Sequence, residues 1–309
     1  MSSINNIPDA ISLVKSEITG AFRGEPIAVE YYEVPKSNKL VVNIHGTFGE
    51  MHWSTGKYSD FARSIVEQEL ASTVLYSSSR DWKKARELDK SYESKIATFQ
   101  GKTFSDELED ARRVVREVIS QAKKNLPEWE ILEVTLHGNS LGGILAFYLA
   151  QEFSEISGII SVWTGLRTER WSVPILDTIP NVEELRKILW MYVGKFIMQY
   201  WTLDDTFSEE AFQTFYEAVW TQQKSSIEYT WVDHWFKTIN GEASEKVFQT
   251  VTHQLIQYLE TAELSGGSIS LETPSEGIKL QRKYADLTKR LVAHAGEGFR
   301  VSLEDQGDF

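Results

Sequence analysis

Residues 138–142 read Gly-Asn-Ser-Leu-Gly, between the β-rich run ILEVTLH (131–137) and the apolar run ILAFYLAQEF (144–153). A chain that passes from a buried strand to a buried helix through so few residues must turn sharply. Glycines flank the serine because side chains there would collide, and the strained turn exposes the serine hydroxyl. This strand-turn-helix unit constrains the fold more than any other stretch of the sequence.

The same alternation extends along the chain. PIAVEYYEV (26–34) and KLVVNIH (39–45) read as strands, the second nearly continuous in apolar residues, as in strands buried on both faces of a parallel sheet. Phe61, Ile65, Val66 and Leu70 mark an amphipathic helix near 59–70, followed by a strand over 71–77. Leu108, Ala111, Val115, Val118 and Ala122 repeat at helical spacing, with Ser105 available as a cap and Asp106 and Glu107 suited to the first turn. Strands over 157–163, 195–201 and 226–232 alternate with helices near 185–192, 208–220 and 244–262. Each parallel crossover needs a covering helix, so the expectation is an α/β chain with a mostly parallel, doubly wound sheet flanked by helices.

The expected domain spans 1–262, and its 164–194 interval has room for only a short cap-like insertion. Residues 263–277 mix Ser, Gly, Pro and Thr as a linker does, and Leu280, Tyr284, Leu287 and Leu291 form an apolar stripe on a C-terminal helical extension within 263–309. That stripe must dock on its own domain or on a second copy of the chain, giving a homo-oligomer.

Charge and cysteine content remove several classes. With 45 acidic and 32 basic residues the net charge is −13, which repels phosphate backbones and anionic lipid surfaces. The absence of cysteine excludes thiol nucleophiles, thiolate metal sites and disulfides. No leader-like start and no long apolar run are found, so the expectation is a soluble, cytoplasmic protein without nucleic-acid or membrane partners.

Serine chemistry stays open. A serine hydroxyl is a weak nucleophile near neutral pH and needs a base, usually histidine, held in one tautomer by a carboxylate. With Ser140 on a nucleophile elbow, the order Ser, acid, His places the base after a late strand. His234, directly after the 226–232 strand, fits; His253 lies inside a helix and His294 in the tail. Asp204 and Asp205 follow the 195–201 strand and precede His234, and either can serve as the acid. The helix after the elbow offers the Leu141 backbone N–H to a developing oxyanion.

HGTFG (45–49), GNSLGG (138–143), WTLDDTFSEE (201–210) and VDHWF (232–236) stand in an order that resembles the α/β-hydrolase superfamily over roughly residues 20–262. The resemblance implies a Ser140, His234, Asp204 triad, with Asp205 as the alternative acid because Trp201 and Phe207 depart from the family's Gly and Val. It implies the Thr47 backbone N–H as second oxyanion donor, with Phe48 as fallback, and a structural part for His45 and His137. No cofactor or metal is implied. By this analogy the activity is serine-esterase hydrolysis of a small ester, thioester or amide through an acyl-enzyme. Acyl transfer, lyase chemistry, or ligand binding on a vestigial triad are the alternatives.

Loops after the strands form the pocket in open α/β sheets. Phe48, Trp53, Trp82, Trp163, Trp171 and Trp235 fall on them, which points to an apolar or aromatic small-molecule substrate. Arg80 and Asp81 are expected to pair with each other at the surface.

Overall fold

β-Branched and aromatic runs form the strands, and the 3.6-residue apolar repeats form the helices that cover them. The computed structural model describes residues 12–47, 50–51, 57–88, 92–166, 173–204, 206–234, 236, 238, 244–263 and 266–270. Their elements are β1 (Ser12–Thr19), β2 (Pro26–Glu33), β3 (Lys39–Ile44), α1 (Lys57–Val66), β4 (Ser72–Ser77), α2 (Trp82–Glu87), α3 (Tyr92–Thr98), α4 (Phe104–Lys124), β5 (Glu133–Asn139), α5 (Leu141–Glu152) and β6 (Ile156–Val162). After these come α6 (Pro174–Asp177), α7 (Val182–Trp190), β7 (Lys195–Trp201), α8 (Glu209–Ala218), β8 (Lys224–Thr230), α9 (Ser244–Thr261) and β9 (Gly267–Ser270).

The strands form one sheet in the order β1-β2-β4-β3-β5-β6-β7-β8-β9. Pairing is antiparallel between β1 and β2 and between β2 and β4, and parallel from β4 through β9. The chain ends of β3, β5, β6, β7 and β8 therefore emerge along one edge of the sheet, where ligands bind in open α/β folds. Helices α1 and α9 touch each other, with Phe61 of α1 stacked on His137 of β5, while α4, α5, α7 and α8 contact one another in series. This is the doubly wound α/β architecture that the alternation predicts.

Helix α5 is apolar on nearly every side, and residues Leu141 through Phe147 and Leu149 are buried. Phe147 is fully buried and meets the rings of Tyr192, Phe196 and Phe215 at 5.3–5.6 Å. Helix α4 starts two residues earlier than Ser105 suggests. Thr103 is its N-cap, and Thr103 and Asp106 make a reciprocal capping box that satisfies two backbone N–H groups.

Two strands escape the periodicity reading. β1 lies exposed on the sheet's outer edge, so it carries no apolar face to reveal it, and the ladder to β2 holds it. β9 lies inside the stretch read as linker and pairs with β8 from Ile227 to Thr230. The chain divides into two units, Met1–Leu271 and Glu272–Phe309, and the second, with the expected helix around 280–291, lies outside the described residues. Within 164–194, α7 contacts α5 and α8 and so forms part of the crossover from β6 to β7. No helix among the described residues is long and apolar enough to cross a membrane.

Replacing Phe147 by Ala is expected to lower the unfolding free energy by about 3–5 kcal/mol, the usual cost of a large cavity at a site that cannot collapse. Urea denaturation followed by tryptophan fluorescence measures it.

Candidate active site

The elbow is built by backbone packed against backbone. Ser140 adopts φ 52° and ψ −117°, a conformation that costs roughly 1–3 kcal/mol for a residue with a side chain. Its N–H donates to Val162 O of β6 (2.9 Å), and its carbonyl accepts from Gly143 N–H (3.0 Å) and the Thr164 hydroxyl (2.9 Å). A Cβ on Gly142 would stand 2.2 Å from Ile44 O, so only glycine allows α5 to start this close to β3. Leu141 is the first residue of α5, and its N–H therefore has no acceptor within the helix.

Beneath the elbow lies a buried polar group of three side chains. Asn139 Nδ2 donates to Asn43 Oδ1 (3.0 Å), and the His137 Nδ1–H donates to the same oxygen (2.9 Å). Burial, unopposed by any neighbouring charge, pushes His137 down to about 3, so the ring is neutral. Asn43 and His137 are register partners on β3 and β5, and their bond ties the ends of these strands together.

Asp204 follows β7 by three residues, and its side chain is fully buried. Its Oδ1 accepts the backbone N–H of Thr206 (2.8 Å) and Phe207 (2.9 Å), and its Oδ2 accepts His234 Nδ1–H (2.8 Å). The carboxylate is thus pinned by its own loop and presents one oxygen to the histidine. With the proton on Nδ1, the His234 Nε2 lone pair is the basic one. The two loops are also joined directly: Leu203 N–H donates to Val232 O (3.0 Å), and Trp231 N–H donates to the Thr202 side chain at Oγ1 (2.8 Å).

On the other side of the elbow, Gly46 lies against the serine. A Cβ placed on Gly46 would be 3.1 Å from Ser140 Cβ. Thr47, the next residue, is half-buried in a turn after β3.

The structure therefore brings Ser140, Leu141, the Gly46–Thr47 peptide, Asp204 and His234 to one edge of the sheet. Trp163 is also there but is buried, with its ring 6.0 Å from His234, 5.5 Å from Trp201 and 4.0 Å from Phe236. Phe48, Trp53, Trp171, Asp205, Trp235 and His294 lie outside the described residues. His253 is exposed on α9. Trp82 donates its indole N–H to Pro26 O (2.7 Å).

The expected Arg80–Asp81 pair does not form. Arg80 is buried, paired with Glu50 (3.2 Å), and held over the rings of Trp82 (4.6 Å) and Phe99 (4.8 Å). Asp81 instead caps α2 by accepting Lys84 N–H (2.9 Å). Successive residues of an extended chain point to opposite sides, so each finds a different partner. Thr164 and Asn139 support the elbow without any warning in the sequence beyond lying next to strand ends.

No protein-family model and no curated relative matches the chain. Solved structures do. A cold-adapted esterase from an Arctic intertidal metagenomic library is similar at 12% identity and a TM-score of 0.56, covering 84% of this chain and 98% of that one. An esterase from Pyrobaculum calidifontis is similar at 13% identity and a TM-score of 0.59, covering 81% and 85%. Carboxyl esterase 2 of the mycorrhizal fungus Tuber melanosporum gives 9%, 0.57, 85% and 90%. At such identities the likeness is one of fold.

His137 makes acid stability a test of this arrangement. Its folded-state value lies below the unfolded one, near 6.5, so its contribution is complete above pH 6.5 and lost as pH falls toward about 3. Between pH 6.5 and 4 the slope of unfolding free energy against pH is expected to be shallower in His137→Gln by up to ~1.4 kcal/mol per pH unit. Urea titrations at several pH values measure that difference.

Proposed function

Because this chain has the α/β-hydrolase fold, we propose that it is a serine hydrolase that cleaves a carboxylic ester through Ser140, His234 and Asp204. The observation that carries the proposal is the 2.8 Å bond from His234 to the buried Asp204, formed by loops at the same sheet edge as the strained serine. Such a bond holds the imidazole in the tautomer able to take a proton from a hydroxyl.

In the proposed reaction the Ser140 oxygen attacks the ester carbonyl carbon while its proton passes to His234 Nε2. The carbonyl oxygen becomes an oxyanion, held by the N–H groups of Leu141 and Thr47. Collapse breaks the bond to the alcohol oxygen, which takes the proton from His234. Water, deprotonated by the same histidine, then cleaves the acyl-serine and regenerates the enzyme. Thioesters and amides fit the same steps, and the likeness to solved esterases favours esters. A small apolar or aromatic acyl group suits the ring-rich loops, with Trp163 beside His234.

A fluorophosphonate probe is expected to label the wild-type protein and leave Ser140→Ala unlabelled. Asp204→Asn is expected to lower kcat on p-nitrophenyl acetate by ~10³–10⁴-fold, the scale of losing the oriented tautomer. A folded wild-type protein that neither labels nor turns over a series of p-nitrophenyl esters would exclude Ser140 as the nucleophile.

A further inference from the structure

At the edge of the sheet remote from Ser140 lies an apolar surface that the proposed reaction does not use. In a parallel sheet each connecting helix runs back against the strands. The C-terminal ends of α7 and α8 therefore lie where β7 and β8 start, opposite the edge that carries Asp204 and His234. The inward faces of both helices are already packed, with Leu185 and Leu189 of α7 and Phe212 and Phe215 of α8 buried. Trp190, at the end of α7, and Trp220, just after α8, are left outside at 58% and 59% exposed, their rings 5.6 Å apart. Met191 and Val193 beside them are 53% and 77% exposed.

Singly exposed apolar residues are common on proteins, but a contiguous patch of this composition is not. The two indoles alone leave roughly 250–300 Å² of ring surface in water. Met191, Val193 and the charged side chains next to them bring the face to roughly the 800 Å² per partner of a standard interface. Trp, Met and Arg are also the residues that interfaces concentrate at their centres.

Charge indicates what covers this face. A groove of about 680 Å³ runs between the two helices, with Glu183, Arg186, Lys187 and Trp190 on the α7 side and Thr214 and Glu217 on the α8 side. Glu183 is paired with Arg186 of its own helix (3.5 Å), so Lys187 gives the α7 side a net positive charge. Helix α8 carries Glu209, Glu210 and Glu217 and no basic residue, so its side is negative. Such a face is complementary to itself. A two-fold axis along the groove sets α7 of each copy against α8 of the other, bringing Lys187 to Glu217 twice and Trp190 to Trp220 twice. Elsewhere two copies of net charge −13 repel one another, whereas the two acidic and two basic residues of the groove cancel. An anionic membrane surface would call for an excess of basic residues, which the groove lacks.

We infer that the chain forms a two-fold symmetric homodimer through the α7–α8 face, with Trp190 and Trp220 of both copies at its centre and Lys187–Glu217 pairs across the groove. The contact leaves the edge with Ser140 open on each copy and is independent of the hydrolase reading.

Sedimentation equilibrium of the full-length protein at about 1 to 100 μM tests it. Wild type is expected to be dimeric within this range. Trp220→Glu, at a side chain that does not enter the core, is expected to raise the dimer Kd at least ~30-fold, the scale of losing an interface hot spot, with the far-UV circular dichroism unchanged. Lys187→Glu and Glu217→Lys each place like charges opposite one another twice, and each is expected to weaken self-association ~10-fold or more. An equimolar mixture of these two variants, one fluorescently labelled, is expected to form a heterodimer of about wild-type affinity, because both swapped contacts again join opposite charges.

A wild type that stays monomeric throughout overturns the homodimer and leaves the face to a different partner. A dimer that Trp220→Glu does not weaken also overturns it, since the contact then lies elsewhere. Two charge variants that are each weakened but do not pair with one another overturn the two-fold arrangement of α7 against α8.

Discussion

The close approach of three backbone segments around Ser140 is the constraint on which the site depends. The start of α5 presses against the end of β3, the serine N–H is bonded to β6, and its carbonyl is held by Gly143 and Thr164. A positive φ at a serine is unfavourable in isolation, and it persists because these contacts over-determine it. The same contacts place the serine at the sheet edge and start a helix whose first N–H, that of Leu141, has no acceptor within the helix. Local strain and chemical readiness thus have one cause.

Around this point the protein places polar groups where burial ordinarily penalises them. Asn43, His137 and Asn139 link β3 to β5 below the elbow, and Lys102, Glu107 and Asp110 link α4 to the end of β4 beside it. Removing one partner of a buried charge pair typically costs several kcal/mol, because the other charge is left uncompensated. Such groups contribute little net stability as pairs, yet they make every alternative arrangement of the loops expensive. For Glu107, burial alone would raise the carboxyl, and Lys102 together with the neighbouring His45 and Ser78 outweighs it, holding the group below its usual range. Rigidity at the loops is the return on these buried charges.

Much of this was legible in the residues themselves. Apolar runs and helical repeats reveal elements that bury a face, so β3 through β8 and the principal helices could be read directly. β1 could not, because an exposed edge strand has no buried side to leave a period in the sequence. The Thr103 cap was missed in favour of Ser105 because both residue types cap helices, and only the backbone bonds reveal which one does.

What the sequence by itself determined is the strand-turn-helix at Ser140, the alternation that makes a parallel sheet, and the order in which serine, aspartate and histidine follow its strands. These depend on neighbours within a few residues, where steric and periodic rules act. The tertiary structure alone decided that Asp204 meets His234, that Arg80 turns to Glu50 rather than Asp81, and that Lys102 is buried between two carboxylates behind His45. Each of these pairs joins segments that are distant in sequence. Their geometry is set by the packing of the intervening sheet and helices, and a single chain of letters carries no local signal of it.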